Sequence, residues 1–135
     1  MVEETRACGK YIGQLELPAA VAVYYSLLCL FINRQIIHFL DNTSSVAGLL
    51  KGYSSIPDSA RIVHAFWAIA AALGLDVWFQ YVPSEANIAD APSRADCSHL
   101  HAIGSVSCEF VLPPIDAWRS SSEVLSAANA LVAKF

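Results

Sequence analysis

Two short runs punctuate this chain and restrict its fold. Arg34-Gln-Ile-Ile-His-Phe-Leu40 stops at Asp41-Asn-Thr-Ser-Ser, and Leu75 to Val82 stops at Pro83-Ser84. Each is rich in β-branched and aromatic residues and bounded by turn formers, which is how a strand reads. Between them Ile62, Phe66, Ile69, Ala70 and Leu73 recur at steps of three and four until Gly74. That is a core-facing helical stripe. Two strands joined through such a helix must pair in parallel, so the chain is expected to be an α/β layer fold with neighbouring parallel strands and flanking helices.

The remaining elements follow from the same signals. Met1 to Gly13 is a mixed lead, in which Cys8 to Ile12 is at most the end of a strand. Gln14 to Asn33 reads as one helix, apolar on nearly every face. Pro18 is tolerated there only in the first turn, which puts Glu16 at the helix N-terminus. Asp41 closes a strand expected to be buried and is placed to cap the helix that follows. That helix runs to about Lys51 and ends at Gly52. Pro57 opens the long helix. Asn87 to Ala91 reads as a short helical turn limited by Pro92. Ser120-Ser-Ser-Glu123 is a capping-box pattern, and Val124, Leu125, Ala128, Leu131 and Val132 form the apolar face of a terminal helix that docks on the domain or on a partner. His38 reads as a core histidine and His64 as exposed. Phe66, Trp67 and Trp78 read as core.

With 135 residues the chain is one domain. Its residues are 56% hydrophobic and only 15% charged, below the usual quarter. Such a balance fits either a membrane protein or a core short of polar covering. The longest uncharged apolar stretch, Leu17 to Ile32, has 16 residues and contains Pro18 and Ser26. A spanning helix needs ~17–25. Ile62 to Phe79 is broken by His64, Gly74 and Asp76. The acidic start Met1-Val-Glu-Glu is not a signal peptide. A small membrane protein with two apolar helices is therefore the weaker reading, and an intracellular, cytoplasmic or nuclear, place without a membrane is expected. The cysteines at 8, 29, 97 and 108 form no Cys-x-x-Cys pair and suit reduced thiols. Cys97-Ser-His99-Leu-His101 with Cys108 lacks zinc-finger spacing. The net charge of −4 runs against nucleic-acid binding unless the cations cluster.

Three acids stand in ordered contexts. Glu16 lies in Ile12-Gly-Gln-Leu-Glu16-Leu-Pro-Ala. Asp41 lies in Phe39-Leu-Asp41-Asn42, followed nine residues later by Lys51-Gly-Tyr-Ser54. Asp90 lies in Tyr81-Val-Pro-Ser-Glu-Ala-Asn87-Ile-Ala-Asp90-Ala-Pro-Ser-Arg94, with Trp78 leading into it. In this order the three motifs resemble the ribonuclease H domain of retrotransposon reverse transcriptases, especially the tyrosine-recombinase (DIRS-like) type.

The resemblance implies a three-layer ribonuclease H-like fold over residues 12–96, after a remnant lead at 1–11 and before a C-terminal tail at 97–135. It implies hydrolysis of RNA in RNA–DNA hybrids with two Mg²⁺ ions, a hard cation that takes carboxylate and water ligands. By the same resemblance Glu16 and Asp41 serve one ion and Asp90 the other, each both catalytic and metal-binding, while Asn42, Lys51 and Arg94 face nucleic acid. An upstream reverse transcriptase domain is the implied partner. The family also carries an Asp on an initial strand of an antiparallel meander. Here the 15 residues before Glu16 contain no Asp, only Glu3 and Glu4, so the meander is expected to be largely missing. The domain then reads as truncated, and the chain alone as having little or no hydrolytic activity. The alternative within this reading is a catalytically dead nucleic-acid-binding module.

Overall fold

The structure, a computed structural model, describes residues 15–114 and 120–134. Helix α1 covers residues 15–26, and the single turn α2 covers Leu28–Phe31. Strand β1 is Gln35–Leu40. Helices α3 (Thr43–Lys51) and α4 (Pro57–Leu73) lead to β2, Asp76–Tyr81. A 3₁₀ turn at Ser84–Ala86 and two short helices, α5 (Asp90–Ser93) and α6 (Ser98–Ala102), follow. Helix α7 is Ser121–Val132. The expected strand end at Cys8–Ile12 and the helix start at Gln14 lie outside the described residues.

The two strands are parallel neighbours, paired from Gln35↔Asp76 to Leu40↔Tyr81. The chain is thus mixed α/β with a two-stranded parallel sheet. Phe66 sits at the centre of the core. Its ring meets Tyr24 of α1 edge-on at 5.3 Å and Phe79 of β2 at 5.2 Å. Val21 and Leu28 from the first helices, Leu49 from α3 and Val124 and Ala128 from α7 complete the same buried cluster. The stripe expected on α4 is the face that is buried. The terminal helix does dock on the domain, and the Ser120 capping box is present, with Ser120 Oγ accepting from the Glu123 N–H.

Several expectations need correction. The first helix is not continuous. It breaks at Leu27 (φ −121°, ψ 36°), beside Ser26, whose hydroxyl donates to the Val111 carbonyl and accepts from the Val111 N–H. A side chain bonded in both directions to a distant backbone fixes where that turn ends. Nor is β1 fully buried. Burial alternates along it, leaving Ile37 63% and Phe39 56% exposed, beside Trp78 of β2 at 63%. Trp78 is therefore not core, and Trp67 is also partly exposed. Parallel strands usually have both faces covered. Here the inner face packs on the helices and the outer face is open among the described residues. Pro92 does not stop the turn before it but lies in the first turn of α5, where its missing N–H costs nothing. No helix among the described residues is long and apolar enough to cross a membrane.

Asp41 does not cap α3. Asn42 does. Its Oδ1 accepts from the N–H groups of Ser44 and Ser45, both at 3.0 Å, and from the Ser44 hydroxyl at 2.6 Å. Satisfying donors that the helix cannot pair internally contributes about 1 kcal/mol. Asn42→Ala is accordingly expected to lower unfolding free energy by ~1 kcal/mol in a denaturant titration, with an unchanged slope.

Candidate functional site

Parallel register decides where the acids go. Leu40 pairs with Tyr81, and the Val82 N–H donates to the Leu40 carbonyl at 2.9 Å. Both strands therefore leave the sheet at one edge. Asp41 follows β1 directly, and residues 82–90 follow β2. In open α/β sheets ligands bind outside the carboxyl ends of the strands. Because Asn42 holds the cap, the half-buried Asp41 carboxylate is left out of it.

Asp90 is reached through two turns. The Asn87 side chain accepts the Ala89 N–H, and the Asp90 N–H donates to the Asn87 carbonyl at 3.0 Å. Asp90 then opens α5. One turn on, Arg94 Nη2 lies 3.1 Å from Asp90 Oδ2. An exposed pair of this kind contributes at most ~1 kcal/mol, so a cation or a phosphate can compete for either partner.

Glu16 lies in α1, half-buried. Its Oε2 is shut off from solvent and has no hydrogen-bond partner among the described residues. A buried carboxylate oxygen without a partner is costly, and such an atom points to an ion or a water. The donor set as a whole, three carboxylates and no thiolate, has the chemistry of a Mg²⁺ site. Among the described residues, however, no three His, Cys, Asp or Glu side chains gather closely enough to enclose a metal, and Glu16, Asp41 and Asp90 form no such group. Magnesium commonly needs fewer protein ligands than that, because it keeps several waters and takes one or two carboxylates together with substrate phosphates.

The residues suggested for nucleic acid are spread out. Asn42 spends its amide oxygen on the cap and keeps only its amide nitrogen for a ligand. Lys51 occupies the last turn of α3, roughly 13 Å along the helix from Asn42. Among the described residues Arg94 is the one of the three that forms an ion pair with one of the acids. Cys97 is half-buried, and Cys29 and Cys108 are exposed and free. With His99 and His101 they form no metal group among the described residues.

One polar pair was not visible in the sequence. The Tyr24 hydroxyl and His38 Nδ1 meet at 2.8 Å under the sheet, with the imidazole also against Phe79. The partners lie fourteen residues apart on different elements, so neither periodicity nor a motif announces them. Burial holds the His38 imidazole below its usual range and pushes the Tyr24 phenol up. A neutral imidazole accepts the phenol proton, and protonation removes that acceptor. Because the folded pKa of His38 lies below the unfolded one, its contribution is complete above about pH 6.5 and is lost as pH falls through the folded value. The thermal midpoint is therefore expected to drop between pH 7.5 and 5, and the drop to shrink in His38→Gln.

No protein-family model matches the chain, and no curated protein or solved structure matches it.

Proposed function

We propose that this chain is part of a ribonuclease H-like unit of a retroelement reverse transcriptase polyprotein, working inside the cell on RNA–DNA hybrids with divalent metal. The observation that supports this reading is the parallel register, by which Asp41 and the start of the segment leading to Asp90 leave the sheet at one carboxyl edge. The orphaned Glu16 oxygen adds weight. Bound Mg²⁺ supplies charge to polarise a phosphodiester and to lower the pKa of a water. Asp41, at the end of β1, would hold the cation with at most one further carboxylate, and waters and phosphate oxygens would fill its remaining positions. Arg94, once released from Asp90, would meet the hybrid backbone. Because the three carboxylates form no single metal-holding group among the described residues, the chain is expected to bind hybrid better than it cuts it.

Fluorescence anisotropy with a labelled RNA–DNA hybrid, run in Mg²⁺ and in EDTA, tests this. Binding should be tighter in Mg²⁺. Asp41→Asn should remove the difference, and Arg94→Ala should reduce the salt slope by about one unit. Equal binding in both buffers, or equal binding of any polyanion, contradicts the proposal. Metal-dependent turnover that Asp41→Asn abolishes would overturn the expected inactivity while keeping the family reading.

A further inference from the structure

Residues 105–114 run straight, with neither helix, turn nor bend, and pair with no strand among the described residues. Their sequence alternates. Val106, Cys108, Phe110 and Leu112 fall on one side, and Ser105, Ser107 and Glu109 on the other, which is the period of a half-buried strand. Yet the apolar side is uncovered, with Val106 89%, Phe110 56% and Leu112 64% exposed. This strap is anchored at one residue. The Ser26 hydroxyl holds both the N–H and the carbonyl of Val111. Successive residues of a straight chain turn their backbone groups to opposite edges, so those of Val106, Cys108 and Phe110 point away from α1. They have no backbone partner among the described residues.

The sheet holds the complementary half. The carbonyls of Arg34 and Leu40 accept from the N–H groups of Asp76 and Val82. In a parallel pair the even-numbered residues of β1 therefore face β2, and Gln35, Ile37 and Phe39 turn their backbone groups outward. The same three residues carry exposed side chains, and Trp78 lies across from Ile37. An apolar strand edge of this kind is a template for another strand. Among the described residues β1 pairs with β2 alone, so the strap and the edge do not pair within one chain. Ile37, Phe39, Trp78, Val106, Phe110 and Leu112 are each more than half exposed. Together they present roughly 800 Å² per copy, the share of one partner in a standard interface. We propose that residues 105–112 of one copy add as a strand to the β1 edge of a second copy, which returns its own strap in a two-fold pair.

Sedimentation equilibrium of the full chain, with a reductant present, tests the proposal. The chain should form a concentration-dependent dimer. Cys108→Pro removes an N–H that points at the partner strand and should weaken the dimer roughly tenfold. Ser107→Pro, one residue away, removes an N–H on the opposite edge and should leave the dimer intact. Both positions are exposed and lie outside helix and strand, so the fold is retained. Trp78→Lys should weaken the dimer from the sheet side. The proposal is overturned if the chain stays monomeric up to about 1 mM, if the two proline variants behave alike, if Trp78→Lys dimerises like the parent, or if association runs on to open-ended oligomers.

Discussion

Phe66→Ala is expected to cost about 3–5 kcal/mol in a denaturant titration. The ring is fully buried on α4 and meets Tyr24, Trp67 and Phe79 at centroid distances of 5.1–5.3 Å. Three separate elements, α1, α4 and β2, converge on it. Removing it forfeits the transfer free energy of the ring and the edge-to-face contacts, and leaves a cavity that rigid neighbours cannot fill. For a domain stable by about 5–15 kcal/mol that is a large fraction of the total. Leucine at the same position keeps most of the volume and should lose much less. An alanine variant within ~1 kcal/mol of the parent would mean that the helices do not meet the sheet as described.

Gly74→Ala ranks next, at about 2–3 kcal/mol. Gly74 ends α4 at φ 63°, and its N–H bonds the last carbonyls of the helix. An L-residue there costs ~1–2 kcal/mol. A Cβ would also run into the Asn33 side-chain oxygen, which must swing aside. The backbone of Asn33 is held in place. It is itself left-handed, at φ 54°, and its N–H donates to the Leu73 carbonyl at 2.8 Å. The entry to β1 and the exit from α4 are thus tied at one point, just before the strands pair. Alanine should lower the thermal midpoint by several degrees. Asn33→Gly combined with Gly74→Ala should recover the steric loss and none of the backbone penalty at position 74.

What could be read in the sequence was what local chemistry dictates. Gly52 and Gly74 end their helices, Pro57 opens one, Ser120 and Glu123 cap another, and both strands lie within a residue of their expected bounds. Each signal lies within a few residues of what it controls. The misreadings arise where distant residues decide. Ser26 reaches Val111, 85 positions away, where the first helix breaks. Trp78 looks like core by composition, yet the pleat turns it to the open face opposite Ile37. Asp41 and Asn42 are both good caps, and only the geometry of the strand exit selects Asn42. The candidate site divides in the same way. Strand-end placement of Asp41 follows from pattern, whereas the unpartnered Glu16 oxygen depends on how α1 packs.

Paramagnetic broadening by Mn²⁺, followed in amide NMR spectra of the isotopically labelled chain, addresses the strand-end site most directly. Substoichiometric Mn²⁺, with a short hybrid present to supply phosphate ligands, should first erase the amide signals of Asp41, Asn42, Val82 and residues 84–90. Asp41→Asn should restore them. Broadening centred on His99 and His101, or spread evenly over the surface acids, would mean that the carboxyl edge of the sheet is not where this protein holds a metal.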